Sequence, residues 1–272
     1  DGRIILRSAS IAHGLMAKGK DALSYALSKF IFSSIEFSDT EARKYWEDII
    51  PEIEKISTDQ EIINPAQKVK LIFTNNKFHS NEKAPKVIIM NQEISMEHPG
   101  EIILEASSGE DCARLLSISH TIAQRFSLPI YLIISRECLN EKLNFKPEHI
   151  PFPPKFIIRE QSWKPDKIYP NHPALSFKRI DYGNNKGPRD KAKILIISHG
   201  KHSLFVKKII KNSKENIRHL EIQTLRPISK EIVNQAMKSV NNTISIDETY
   251  CWLEQNDLIK SLSLNELIDL IN

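Results

Sequence analysis

The chain has 272 residues, 40% of them hydrophobic and 26% charged, which suits a soluble globular protein with one large or two modest domains. The net charge is only +4 with basic residues spread widely, and no run of about 18 apolar residues occurs, so we expect neither nucleic-acid binding nor a membrane span. Three widely spaced cysteines predict no disulfide framework and no zinc site, and so favour a reducing cytoplasm.

Glycine is unusually scarce. The chain has 8 glycines, under half of the usual frequency of roughly 7%. Phosphate-binding loops need glycine because the backbone must approach the anion closely. We therefore expect no such loop from this chain alone. The sequence also starts at Asp1 rather than Met, which suggests a processed or truncated chain.

Two helices are predicted in the first 50 residues. Residues 8–19, SASIAHGLMAKG, place apolar side chains at helical spacing, with Gly19 as the expected C-cap. Residues 39–50 form a second amphipathic pattern that Asp39 can cap.

Strands follow at two short apolar runs, 69–73 and 87–90. Residues 101–135 then predict a β-α-β unit, in which an apolar strand is followed by a long helix and a nearly continuous apolar strand. The helix start is indicated by Ser107 and Ser108, which precede the acids Glu110 and Asp111 at capping-box spacing. A strand buried on both faces is typical of a parallel sheet. We assign residues 1–145 to a first α/β domain.

Residues 146–190 interrupt this pattern with many prolines and an excess of basic residues. We interpret them as an extended basic linker, with Trp163, Tyr169 and Tyr182 available to fix it to a surface.

Residues 191–272 return to alternating strands and helices, which predicts a small parallel sheet covered on both faces. The strands are predicted at 193–198, 217–225 and 243–247, and the helices at 202–212, 230–240, 250–262 and 263–271. The fold class is therefore α/β, with two doubly wound, mainly parallel-sheet domains.

The best candidate site is SHGKHS, residues 198–203, where the first strand of the last domain gives way to its helix. Ligands of open α/β sheets bind beyond the carboxyl ends of strands, and Glu248 ends the third strand on the same edge. His199 and His202 could titrate near neutrality, and Gly200 permits a tight turn. The alternatives are an ordinary loop with surface histidines and an acid that favours a helix N-terminus.

Known catalytic signatures are not found in the sequence, including the P-loop, the Rossmann fingerprint, the nucleophile elbow and the zinc-protease motif. Ser198 and His199 are neighbours in the chain, whereas triad members come from separate elements. GNNKGPRDK, residues 183–191, is better explained as a solvated linker end than as an anion-binding loop.

The last domain resembles a known family. Residues 194–211 and 219–255 are similar to the transketolase C-terminal-like domain of 2-oxoacid:ferredoxin oxidoreductases, in particular the α chain of the indolepyruvate type. The shared features are a polar-Gly turn after the first strand, a helix after Pro227, and a strand that ends in an acid before a Leu-Glu-Gln helix.

The first domain is similar to the same family's pyrimidine-binding thiamine diphosphate domain. Residues 104–137 match its last β-α-β unit, and 8–19 match its opening helix, with Ser8 and Ala9 in place of Gly-Asn. The family's Tyr-Pro-Gly-Thr-Pro turn becomes YALSK at 25–29.

The sequence also departs from the family in the segments that would bind and activate the cofactor. The segment that carries the family's activating glutamate is replaced by an unrelated stretch, 51–85, and its following motif is reduced to Asn91–Glu93. The diphosphate-binding domain and the iron–sulfur cysteines have no counterpart in the sequence. We therefore assign no catalytic, cofactor or metal residue to this chain, and expect thiamine diphosphate and Mg²⁺ only in complex with a partner chain.

The resemblance implies an α-chain-like component that pairs with a thiamine-binding or iron–sulfur chain and delivers electrons to ferredoxin. The residues expected to face the partner or a substrate channel are His199, Gly200, His202, Glu248, Trp252 and Glu254. The alternatives are a non-catalytic structural or regulatory relative and an unrelated α/β binding domain. The substrate is not predicted, and a homodimer stays open.

Overall fold

The computed structural model describes residues 16–27, 33–51, 53, 69–75, 85–91, 102–144, 182–185, 192, 194–213, 216–228, 230–238, 240–246 and 261–262. The chain divides into two compact units, Asp1–Ile168 and Tyr169–Asn272. Both have the predicted α/β architecture with mainly parallel strands, so the doubly wound fold class is confirmed. No helix in these ranges is long and apolar enough to cross a membrane.

The first unit combines a parallel sheet with packed helices. Its strands are β1 (Met16–Lys18), β2 (Ser33–Phe37), β3 (Val69–Thr74), β4 (Lys86–Met90), β5 (Ile102–Glu105), β6 (Pro129–Ile133) and β7 (Lys142–Asn144). Its helices are α1 (Gly19–Leu27), α2 (Thr40–Ile49), α3 (Gly109–Phe126) and α4 (Arg136–Asn140). Strands β5, β6, β4, β3 and β2 lie side by side in that order and all run parallel, while β1 pairs antiparallel with β7.

The β-α-β prediction for 101–135 is confirmed by β5, α3 and β6. Ser108 is the N-cap of α3, and its side-chain oxygen accepts a hydrogen bond from the Asp111 backbone N–H at 3.2 Å. This contact satisfies one of the amide groups that a helix start leaves open. Strand β6 pairs with β4 and β5 and is almost wholly buried, as an interior parallel strand requires.

Helix α2 also begins where the sequence predicts. Asp39 caps it and accepts a hydrogen bond from the Ala42 N–H at 2.7 Å. Trp46 is fully buried, donates from Nε1 to the Thr74 carbonyl oxygen at 3.0 Å and packs edge-on against Phe73. These contacts fasten α2 to β3.

The prediction for the first helix is wrong where the structure describes it. Met16 and Lys18 belong to β1, and Gly19 starts α1 instead of ending a helix. The Lys18 N–H is bonded to the Asp21 carboxylate at 2.8 Å, as in half of a capping box. Glycine is needed at 19 because α1 crosses α3 there at backbone contact. Residues 8–15 of that prediction lie outside the described residues.

The second unit contains a five-stranded sheet. The strands of this sheet are β8 (Tyr182–Asn185), β9 (Ile194–His199), β10 (Ile217–Ile222), β12 (Asn242–Ile246) and β13 (Ser261–Leu262). The unit also contains the short strand β11 (Thr224–Arg226) and the helices α5 (Gly200–Asn212) and α6 (Lys230–Met237). The sheet order is β13, β12, β9, β10, β8. Strands β12, β9 and β10 lie side by side and parallel, as the sequence predicts.

Three details differ from the sequence-based expectations. Four residues of the proposed linker form β8, antiparallel to β10. The strand predicted at 217–225 stops after Ile222, and β11 begins at Thr224. Residues 261–262 are not the end of a helix, because their backbone pairs in parallel with Ser245 and Ile246. Ladder hydrogen bonds to a neighbouring strand outweigh local helix propensity there.

Candidate functional site

The candidate site lies at the carboxyl end of β9 in the second unit. β9 ends at His199 and α5 begins at Gly200, whose φ of 48° is a left-handed value that glycine adopts without strain. Val206 and Ile210 of α5 pack on the sheet in a core shared with Ile196 of β9. The sharp turn and this apolar contact together hold the start of α5 over the end of the sheet.

The two histidines predicted for this site come together but are not surface residues. His199 is 2% exposed and His202 is 5% exposed. Their ring centroids are 5.9 Å apart at an interplanar angle of 71°, an edge-on contact. Their role at an interface or channel stays a prediction.

Beside the histidines, a serine–histidine pair links two strands. The Ser198 Oγ lies 2.7 Å from His219 Nε2 and 2.9 Å from Ser203 Oγ. Ser198 aligns with Glu221 in the parallel β9–β10 register, so His219, two residues earlier, is on the same face of the sheet. The three side chains are almost completely buried between α5 and the sheet.

The chemistry of this pair favours structure over catalysis. Burial, and secondarily the charge of Lys207, lower the pKa of His219 to about 3, so the ring is neutral near pH 7. A general base works best with a pKa near the operating pH, and a nucleophile must reach its substrate. His219 Nδ1 also makes no hydrogen bond to the residues that the structure describes, so none of the acids among them orients the ring as in a triad.

An ion pair completes the polar cluster. The Lys207 Nζ lies 2.5 Å from Glu221 Oε2, and Gln223 donates to Glu221 Oε1 at 3.1 Å. Glu221 is 1% exposed on its side chain, and Lys207 covers it from α5 at 30% exposure. A buried carboxylate is tolerated when it is paired and hydrogen-bonded in this way.

Sequence reasoning missed this cluster. His219 and Glu221 occupy alternate positions of β10, and Ser203 and Lys207 are four residues apart on α5. Polar residues two positions apart on a strand share one face of the sheet, and polar residues four positions apart on a helix share one side of it. This spacing is the sequence signal that could have indicated the cluster. Glu248, Trp252 and Glu254 lie outside the described residues, so their predicted placement beside this site stays a prediction.

In the first unit, the start of α3 is closed by the protein itself. The Glu141 carboxylate Oε2 accepts from the Gly109 N–H at 2.6 Å, and the Glu141 carbonyl oxygen accepts from the Gly19 N–H at 3.0 Å. A Cβ on Gly19 would collide with the Cys138 carbonyl oxygen and lie 2.8 Å from the Gly109 Cα. These glycines serve helix packing, and an internal carboxylate occupies the position an anion would take.

The residues in the described ranges do not fit the thiamine diphosphate and Mg²⁺ that the family resemblance implies. No group of three or more His, Cys, Asp or Glu side chains there could hold a metal ion. The amide of Gly109 at the start of α3 is engaged by Glu141, as described above. Cys112 and Cys138 are buried free thiols, and burial raises both of their pKa values.

No protein-family model matches the sequence, and no curated protein matches it. Among solved structures, the chain is similar to a 2-oxoglutarate:ferredoxin oxidoreductase from Magnetococcus marinus that was solved with 2-oxoglutarate, coenzyme A and succinyl-CoA bound. The TM-score is 0.60 at 11% identity, and the match covers 94% of this chain and 64% of that chain. The chain thus spans slightly less than two thirds of that relative.

A split-gene transketolase, solved as an inactive β4 tetramer, is also similar, with a TM-score of 0.49, 10% identity, and coverage of 92% of this chain and 89% of that chain. At 11% identity the oxidoreductase similarity establishes the fold alone. The chain therefore has the fold of a ferredoxin oxidoreductase chain over nearly all of its length.

Proposed function

We propose that the chain is an α-chain-like component of a thiamine-diphosphate-dependent 2-oxoacid:ferredoxin oxidoreductase of the indolepyruvate or pyruvate type, and that it needs a partner chain for catalysis. The observation that carries this proposal is the fold match over 94% of the chain. It agrees with the resemblance in the sequence, where a pyrimidine-domain-like part precedes a transketolase C-terminal-like part.

The proposed partner rests on the family resemblance. The family's diphosphate-binding domain and iron–sulfur cysteines have no counterpart in this sequence. The proposed complex takes thiamine diphosphate and Mg²⁺ on a second chain, with an iron–sulfur chain or ferredoxin as electron acceptor. The proposed location is the cytoplasm, where thiols such as Cys112 and Cys138 stay reduced.

Domain boundaries belong to the proposal as well. We propose a degenerate pyrimidine-domain-like part at 1–145, a connecting basic segment at 146–190 that contributes β8, and a transketolase C-terminal-like part at 191–272. Within the last part, His199, Gly200 and His202 would support the surface that meets the partner, together with Glu248, Trp252 and Glu254.

A second candidate is a non-catalytic structural or regulatory relative of the same family. The buried Ser198–His219 pair favours it, because polar groups at the candidate site are engaged with one another. Fold alone does not decide between the two candidates.

Purification from the source organism under gentle conditions, followed by assay of 2-oxoacid-dependent ferredoxin reduction, tests the proposal. The proposal expects a second chain that contains thiamine diphosphate or an iron–sulfur cluster, and activity that is lost when this chain is depleted and regained on its return. Activity unaffected by depletion supports the regulatory candidate, and recovery of the chain alone contradicts the catalytic one.

A further inference from the structure

Helix α5 differs from the other described helices because all of its charged residues are basic. Helix α5, GKHSLFVKKIIKN, contains four lysines and no acidic residue. The described helices α1, α2, α3, α4 and α6 each carry both acidic and basic residues. On α2, for example, Arg43 and Glu47 pair across one turn at 3.5 Å. Mixed charge is the ordinary state of a solvated helix surface, and α5 departs from it.

The lysines of α5 lie mostly on one side. His202, Ser203, Val206 and Ile210 are buried against the sheet. The opposite side, which we call the α5 outer face, consists of Lys201, Leu204, Phe205, Lys208 and Lys211, at the three- and four-residue spacing of one helical stripe. Lys207 does not belong to it, because it lies one turn after the buried Ser203 and its ammonium group contacts Glu221.

An exposed aromatic ring stands at the centre of this face. Phe205 is the only large hydrophobic residue exposed among those that the structure describes, at 38%. The Lys208 Nζ lies 5.7 Å from its ring centroid. Aromatic residues are enriched where proteins bind one another, and they often act as anchors in a pocket of the partner.

The position of Lys201 points the same way. It lies in the first turn of α5, where the helix dipole disfavours a positive charge. An acidic surface placed against the α5 outer face would relieve this unfavourable interaction and complement Lys208.

We propose that the α5 outer face docks an acidic protein surface with an apolar pocket for Phe205. A second copy of the chain does not fit, because two such faces would bring lysines against lysines. A lipid surface does not fit either, because the apolar side of α5 is already used inside the protein and one ring stands outward. The inference does not depend on thiamine chemistry and holds for either candidate function.

A peptide-binding experiment on the full chain tests this proposal. The probe is a helical peptide of glutamate, leucine and alanine, and its counterpart with glutamine for glutamate is the charge control. Fluorescence anisotropy should show binding of the acidic peptide that weakens as salt increases, and NMR shift changes should centre on Phe205. The glutamine peptide should bind much more weakly.

Variants locate the surface. Phe205→Ala and the double change Lys201→Glu with Lys208→Glu should each weaken acidic-peptide binding by at least about fivefold. The matched control, Lys238→Glu, reverses an exposed charge of the same unit and should change binding by less than about twofold. Circular dichroism checks folding, and Lys201→Gln with Lys208→Gln replaces the double reversal if that variant unfolds.

Three outcomes would overturn the proposal. The first is equal binding of the acidic and glutamine peptides. The second is unchanged binding by the Phe205 and lysine variants. The third is tighter binding of phosphatidylserine vesicles or an RNA oligonucleotide through these same residues, which would assign the face to a membrane or to nucleic acid.

Discussion

The Ser198 Oγ lies 2.7 Å from His219 Nε2, and this hydrogen bond joins the carboxyl end of β9 to β10 inside the second unit. Two residues 21 positions apart thereby fix the strand end from which α5 begins. The bond has the distance of a catalytic pair, but burial makes it a structural contact. The stability of the second unit should therefore depend on the protonation of His219.

Acid should destabilise the protein through His219. Its pKa is about 3 in the folded chain and near 6.5 ordinarily, so below pH 6.5 the unfolded state binds the proton more readily. The free energy of unfolding should fall as the pH drops from about 6.5 towards 3, by about 2 kcal/mol between pH 7 and pH 5. Urea denaturation at both pH values measures this.

The control for that prediction is His219→Gln, which removes the titrating ring. The variant should be less stable at pH 7 but lose less stability on acidification. Burial also lowers the pKa of His120, to about 4, but His120 is present in both proteins. The difference between their pH dependences of unfolding free energy therefore reports on His219 alone. An identical pH dependence of the two proteins would contradict the assignment.

Removing the lysine of the buried ion pair should destabilise the second unit. Lys207→Met leaves the Glu221 carboxylate buried without its cation, which we expect to cost about 3 kcal/mol. Lys208→Met, on the exposed side of the same helix, should change stability by about 0.5 kcal/mol or less. Adding Glu221→Gln to Lys207→Met should restore part of the loss. Equal stabilities of the two single variants, measured by thermal and urea unfolding, would refute a role for the pair.

A methyl group at Gly19 should disrupt the first unit. Its Cβ would meet the Cys138 carbonyl oxygen and the Gly109 Cα, both backbone groups that cannot rotate away. Gly19→Ala should cost about 3 kcal/mol, whereas Lys20→Ala in the same turn should be nearly neutral. Denaturant unfolding compares them, and a stable Gly19→Ala protein would show that α1 and α3 do not cross as closely as described.

Trp252 stays a predicted contact with the partner chain. If it anchors that interface, Trp252→Ala should weaken association by about 2 kcal/mol or more and leave the isolated chain as stable as before. If it is a core residue instead, the isolated chain should lose about 3–5 kcal/mol. Sedimentation of the complex and thermal unfolding of the chain alone separate these results.

The parts that the sequence could predict are those specified by neighbouring residues. The β-α-β unit around α3 follows from apolar runs and from Ser108 with Asp111, which are three positions apart. Asp39 identifies the start of α2 in the same way. Such signals act within one turn or one strand and need no knowledge of the rest of the fold.

The missed features depend on contacts between distant residues. The local sequence predicts a helix end at Gly19, because the residues that require glycine there, Gly109 and Cys138, are about 90 residues or more away in the chain. The Ser198–His219 bond depends on the register between β9 and β10, which no local pattern reveals. The strand at 261–262 exists because β12 lies beside it.

The chain has the fold of a ferredoxin oxidoreductase chain, and we propose that it relies on a partner chain for the cofactor. Isothermal titration of thiamine diphosphate with Mg²⁺ into the chain alone, and into its complex with the co-purifying chain, tests this claim most directly. The account predicts no heat of binding for the isolated chain and saturable binding for the complex. Stoichiometric binding by the isolated chain would contradict it.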